Sequence, residues 1–331
     1  MKNEAAGTRP GLPARIKAAV SDPFKMKILF NDFKGLVLQI FKYVILIGVS
    51  YVILAPVIGM IANSISSNAD AYNPMVFIIP EHPTAERYQL AILRLDYWAT
   101  TAKSMLYTLL ITVLQLFICS MVGYGFARFE FPLKKLLFGC VVVTIVIPSH
   151  TIMLPLYMTF KSMDLFGLGT ALTGTTGLMG TSIPMYIMSL LGCGLRSGLF
   201  IYIFNQFFRG LPKEIEEAAF VDGAGMWYTY FRIMLMNAMP AVITVTVFSI
   251  VWQFNDVFYA KLFLIPDTTV ISKRLASLQG IIANEDQIMS ITIQELYRDA
   301  GALLVIAPVV IIYLCLQKYF IEGVERSGIV G

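Results

Sequence analysis

The chain has 331 residues, a net charge of +4, 57% hydrophobic residues and only 14% charged ones. A soluble domain of this size carries about a quarter charged residues. Here the deficit falls in long uncharged runs, mean hydropathy is +0.72, and a soluble globular protein is excluded in favour of a polytopic membrane protein with no nucleic-acid partner.

Residues 1–42 form a basic arm with eight Lys/Arg against three Asp/Glu. The first apolar run starts near Tyr43, after that arm, and reads as a retained anchor rather than a cleaved signal. Residues 24–42, FKMKILFNDFKGLVLQIFK, mix apolar and basic side chains as a helix along a membrane surface does. A solvated arm is the other reading of the first twenty residues.

From there on, 43–331 reads as one membrane domain. Six segments reach the roughly 20 apolar residues that a bilayer core requires: about 43–61, 104–127, 136–160, 183–208, 233–255 and 300–317. Helices are the expected element, because lipid offers no partner to free backbone groups. The predicted fold is therefore all-α with six transmembrane helices. Residues 165–195, rich in Gly and Thr, compete with the fourth segment. Taking them as a span leaves only 197–208 for a further crossing, which is too short, so one span preceded by an irregular segment is preferred. Lys and Arg set the orientation. With the N-terminus inside, segments 1–42, 128–135, 209–232 and 318–331 carry 16 basic residues, and the longer outer segments carry 8. Both termini and the loop 209–232 are then cytoplasmic.

Cys119, Cys140, Cys193 and Cys315 lie in apolar runs with no CxxC and read as small buried apolar residues. His82 and His150 have no candidate partner nearby in sequence, and no metal site is expected.

Loop 209–232 concentrates charge in an otherwise apolar chain. Pro212 opens a short helix, where a missing N–H costs nothing. Glu214, Glu216 and Glu217 occupy its first turns, favoured by the helix dipole. Leu211, Ile215, Ala218 and Ala219 share one face, Asp222-Gly223 and Gly225 break the helix, and a second helix runs from near Met226 into the fifth span. From the residues alone this is either a docking surface of small side chains or an ordinary amphipathic loop helix.

Arg196 is a lone charge in the fourth span, so it either lines a polar pathway or pairs structurally with another helix. Trp252, Gln253, Asn255 and Asp256 end the fifth span on its outer side. An aromatic face beside amide and carboxylate groups suits a sugar; the same set also makes an interfacial aromatic belt and a helix end. Asn205 and Gln206, near the inner end of the fourth span, read as packing or gate residues.

The spacing Glu217-Ala218-Ala219, three residues, Gly223, nine residues, then Ile233-x-Leu235 resembles the cytoplasmic loop of bacterial ABC importer permeases. Met236 replaces the usual final proline, with Pro240 four residues on. FFRGLPKEIEEAAFVDGA (207–224), VWQFND (251–256), GYGFARFEFPLKKLLF (123–138), IPSHTIMLPLY (147–157) and LQKYFIEGVERSGIVG (316–331) look like the carbohydrate-uptake branch. Over residues 41–331 the chain is most similar to the second, G-type permease of the maltose system. The resemblance implies a type I importer permease in the bacterial inner membrane. Its partners would be a homologous second permease, two ATP-binding cassette subunits and an extracytoplasmic sugar-binding protein.

The resemblance also implies that Glu217, Ala218, Ala219, Asp222, Gly223, Ile233 and Leu235 form a coupling element. Its helix would sit in an ATPase cleft and move when two ATPases close on ATP. No GxxxxGK[ST] phosphate loop occurs, so ATP and Mg are expected in the partners, and this chain is expected to bind no cofactor and to be no enzyme. In maltose-type systems the main sugar site lies in the other permease. Glycerol phosphate or another polar solute is the alternative cargo. An ion-driven carrier fits less well, since no repeat is found and no Asp or Glu falls in any of the six segments. A membrane enzyme lacks its clustered catalytic side chains.

Overall fold

The computed structural model describes residues 23–75, 78–164, 167–174 and 177–328, and every regular element among them is helical. Two compact units divide after Gly59. In the first, the described chain is helix α1 (Pro23–Ile65) as far as Gly59, and residues 1–22 of the arm lie outside the described residues. The boundary expected at residue 42 falls inside α1, so segment 24–42 and the first span are one helix. Its part from Phe33 to Ile65 is long and apolar enough to cross a membrane.

The second unit contains α2 (Glu86–Leu95), α3 (Tyr97–Arg128), α4 (Lys134–Val146), α5 (Met153–Ser162), α6 (Ile183–Leu190), α7 (Ser197–Gly210), α8 (Glu214–Val221), α9 (Met239–Phe254), α10 (Ile271–Glu285) and α11 (Ile291–Gly328). Helix α3 is central and packs along α6, α7 and α9. One core joins its last turns to Phe200, Phe204 and Phe208 of α7 and to Tyr230, Met234, Ala238 and Val245. A second joins Tyr107 and Ile111 to Met185 and Met188 of α6 and to Tyr259 and Phe263. A third joins Leu95 and Tyr97 to Leu278, Ile282, Tyr297 and Val305.

The six predicted segments fall on three unbroken helices, α1, α3 and α11, and on three broken ones. The third segment is not one helix: α4 and the Ser149–Ser162 helix that follows it are bent by 103°. Ile147 precedes Pro148 and is extended (ψ 122°), because a proline ring disfavours helical backbone in the residue before it. The fifth bends by 76° between Met226–Asn237 and α9. The wide π turn Thr229–Met234 precedes that bend, and Pro240 follows it at the start of α9.

The fourth segment, expected as a single helix, is split into α6 and α7. Gly192 (φ +70°) ends α6 by a Schellman cap, with Gly192 N–H donating to Ser189 O at 3.2 Å and Cys193 N–H to Met188 O at 2.8 Å. Arg196, also left-handed at φ +61°, starts α7. The fourth stretch of hydropathy is thus two short helices, and neither alone reaches the length of a crossing.

Only Cys119 is buried; Cys140, Cys193 and Cys315 are exposed, contrary to expectation. An apolar run that faces lipid has no reason to turn inward, since lipid tails are as apolar as leucine.

Helices α3 and α7 approach closely because Gly123 has no side chain. A Cβ there would lie 2.6 Å from Phe204 Cβ and 3.0 Å from the Asn205 backbone nitrogen. Gly123→Ala is therefore expected to push the two helices apart and cost about 1–3 kcal/mol. A thermal melt of the purified chain reads this, and an unchanged midpoint would show that the contact relaxes freely.

Candidate functional site

Helix α8 begins at Glu214 with Lys213 before it, so Pro212 precedes the helix rather than opening it. Of its three first-turn acids, Glu214 and Glu217 are exposed and Glu216 turns inward. The Glu216 carboxylate accepts a hydrogen bond from the Tyr124 hydroxyl and lies 3.2 Å from Arg128 Nε. That Nε–H makes no hydrogen bond, so the Arg128–Glu216 contact is an ion pair. Both side chains are nearly excluded from solvent, at 5% and 11% exposure. Arg128 Nη2 also donates to the Leu211 carbonyl at 2.9 Å. The Tyr124 ring stands edge-on to Phe208, 5.3 Å between centres. The last turn of α3 therefore grips both the entry to α8 and its first turn.

The exit of α8 is a full Schellman cap. Gly223 N–H donates to Phe220 O and Ala224 N–H to Ala219 O, both at 3.0 Å, with Gly223 at φ +82°. Glu217, Ala218, Asp222 and Gly223 are exposed together. Ala219 is buried beside half-buried Ile215, so the four-residue face expected in this helix is divided, with Ala218 outward and Ala219 inward. Larger apolar side chains join the exposed surface: Phe220, Val221 (87% exposed), Met226, Trp227 and Tyr228. Ile233 and Leu235 are half-buried in the π turn and the helix after it.

The outer set is only partly brought together. Arg196 is exposed, in the break between α6 and α7 rather than within a helix, and its guanidinium lies 5.4 Å from the Trp252 ring centre. Trp252 stacks on Phe200 and Phe248 at 5.8 and 5.2 Å. Gln253 is buried and bonds Gln115. Asn255 is exposed and bonds its own helix at Val251 O. Asp256 accepts the Ala260 N–H at 3.2 Å, while Ser272 Oγ donates to its carbonyl. Burial pushes the Asp256 carboxyl up to about 6, against the backbone N–H groups of Tyr259 and Ala260 that hold it down.

Sequence reading missed Gln115, the one amide side chain in residues 104–127. It is fully buried, and its Nε2 donates to Leu195 O at 2.8 Å and Ser197 Oγ at 3.1 Å. Its Oε1 accepts Ser249 Oγ at 2.8 Å and Gln253 Nε2 at 3.3 Å. This one amide ties α3, the break carrying Arg196 and the helix carrying Trp252. Tyr124 and Arg128 were also missed, although Arg128 is the first charge after the uncharged run. His82 does find a partner, Asp70, whose carboxylate accepts the His82 N–H at 2.9 Å and lies 3.2 Å from its ring Nδ1. Asp70, Glu81 and His82 bring three possible ligand atoms within 4.8 Å. The Asp70 carboxylate is already engaged in closing that loop.

Comparisons with known proteins agree with this architecture. A permease for arabinooligosaccharides, AraQ of Halalkalibacterium halodurans, is 27% identical over 71% of this chain and 75% of its own length. A melibiose/raffinose/stachyose import permease, MelC of Bacillus subtilis, is 29% identical over 70% of this chain and 78% of its own. LplC of the same organism is 25% identical over 92% of this chain and 98% of its own. Among solved structures, a bacterial ABC transporter involved in import of the acidic polysaccharide alginate shares the fold. Its TM-score is 0.67 at 20% identity, over 87% of this chain and 98% of that one. Residues 117–326 match the family described as the binding-protein-dependent transport system inner membrane component, and the chain belongs to that family.

Proposed function

We propose that this chain is a permease subunit of an ATP-driven sugar importer. It forms half of the translocation pathway and receives the work of cytoplasmic ATPases through α8. The observation that carries the reading is the α8 surface: an exposed, acidic and apolar patch on a helix pinned to α3 by the buried Arg128–Glu216 pair. A force applied to that patch reaches α3 directly and reaches α9 through the π turn. The sugar transport named for AraQ and MelC supports sugar as the cargo. The partners are a second homologous permease, two ATP-hydrolysing subunits under α8, and an extracytoplasmic binding protein that delivers the sugar. Loop 209–232 and both termini are cytoplasmic by the distribution of Lys and Arg. Arg196 and Trp252, joined by a cation–π contact, are the pathway residues this reading favours.

Gly223→Asp tests the coupling role. A side chain at φ +82° is strained by about 1–2 kcal/mol, yet a Cβ there meets nothing within 4 Å. The fold survives while the surface offered to the partner changes shape and charge. Expected are normal insertion and normal pairing with the second permease, reduced ATPase content in the complex purified through this chain, and a matching fall in sugar uptake. Normal ATPase content with normal uptake would refute the role of α8. A wild-type complex that hydrolyses ATP without moving any sugar would refute the cargo alone.

A further inference from the structure

A cavity of about 600 Å³ opens between the end of α3, the 129–133 turn, the start of α4 and the end of α7. It lies at the end of the bundle that carries α8, since Arg128 binds Leu211 and Glu216 there. Three cations, Lys134, Lys135 and Arg209, line it with one carboxylate, Glu130. Lys134 is paired with Glu130 at 2.9 Å, whereas neither Lys135 nor Arg209 has an ion-pair partner among the described residues. The positive end of the 13-residue helix α4 points at the same place.

Asn205 supplies an independent observation. It lines the cavity and is 1% exposed; among the described residues its Oδ1 has no hydrogen-bond partner and its Nδ2 makes only a 3.4 Å bond to Gly123 O. A buried acceptor without a donor is costly and calls for one. Beyond the cavity, no residue of α4 is buried, and Leu136, Val143 and Val146 are exposed along it.

We propose that this cavity binds the headgroup of an anionic phospholipid. The phosphate lies against Lys135 and Arg209, a headgroup hydroxyl donates to Asn205 Oδ1, and the acyl chains run along the uncovered apolar surface of α4. A membrane-borne ligand fits better than a free phosphate because charged mouth and greasy wall are continuous, from Lys134 and Lys135 into the rest of α4. The site is separate from the sugar pathway and does not depend on which solute is carried.

The test uses the full-length chain, purified and delipidated in mild detergent. It is offered equal amounts of phosphatidylglycerol and phosphatidylcholine with the same acyl chains, and bound lipid is counted by native mass spectrometry. Wild type is expected to prefer phosphatidylglycerol. Lys135→Gln with Arg209→Gln should cut that preference about 30-fold, from roughly 1 kcal/mol for each basic residue near an anionic headgroup. The charge-preserving pair Lys135→Arg with Arg209→Lys should restore it. Lys103→Gln, exposed in the first turns of α3 and so at the other end of that helix from the cavity, should leave it unchanged, and matching thermal melts establish that the variants are folded. Equal retention of the two lipids by wild type, or an undiminished preference in the neutral pair, overturns the proposal. Displacement of the lipid by millimolar glycerol 3-phosphate would give the cavity to a soluble phosphate and overturn it equally.

Discussion

Arg128→Ala is expected to destabilise the chain by about 3–5 kcal/mol, the loss that follows when one partner of a buried ion pair is removed and the other charge stays behind. Glu216 would be left with the Tyr124 hydroxyl alone, and the Leu211 carbonyl would lose its donor. The entry to α8 should then loosen, and trypsin should cut faster after Arg209 and Lys213, which are already exposed. The pair itself is separable from its desolvation. Arg128→Met combined with Glu216→Leu removes both charges and replaces them by apolar volume, and should recover most of the stability. A double-mutant cycle of thermal or denaturant melts reads both effects. If the double variant is no better than Arg128→Ala, the charge left unpaired is not the cause. If α8 functions as proposed, the recovered double variant still transports poorly when the pair sets the angle of the helix, and transports normally when it serves only to hold it down.

Gln115→Leu is expected to cost about 2–4 kcal/mol. Membrane-embedded hydrogen bonds average roughly 0.6 kcal/mol each, and four are lost here. Buried groups left without partners add to that. The losses are unequal. Ser249 keeps Thr112 at 2.9 Å, whereas Gln253, whose Oε1 already lacks a partner among the described residues, loses the one side-chain bond it makes there. The Leu195 carbonyl loses its amide donor in the backbone break beside Arg196. The expected signature is therefore local as well as global: faster amide exchange at residues 191–197 and a lower melting midpoint. Exchange that stays slow in that break would show that Gly192 and Gly194 hold it without help from α3.

Membrane residence, helical class and the loop motif were legible in the sequence because each rests on local information. An uncharged run such as 104–127 is costly in water wherever it folds, and in lipid it has to be a helix. Glu217-Ala218-Ala219 and Gly223 lie within one helix and its cap, so their spacing already carries their geometry. The helix breaks were partly legible: Pro148 and Pro240 mark two of them. The third was hidden because Gly192 and Gly194 sit inside an otherwise apolar stretch that satisfies a hydropathy window.

What only the tertiary structure decided is which polar groups face inward. Three glutamates in α8 are equivalent by composition and dipole, and Glu216 alone is buried because the helix is rotated towards Tyr124, 92 residues earlier in the chain. Gln115 looks like an isolated amide in its own helix, and its partners lie 80 to 138 residues away. Arg196 and Trp252 meet for the same reason, whereas Gln253, adjacent to Trp252 and about 100° further round α9, turns to Gln115. Helical periodicity tells which residues share a face. Which face meets which neighbour depends on packing between segments far apart in the chain, where Gly123 sets the closeness of α3 and α7 and the Arg128–Glu216 pair sets the seat of α8.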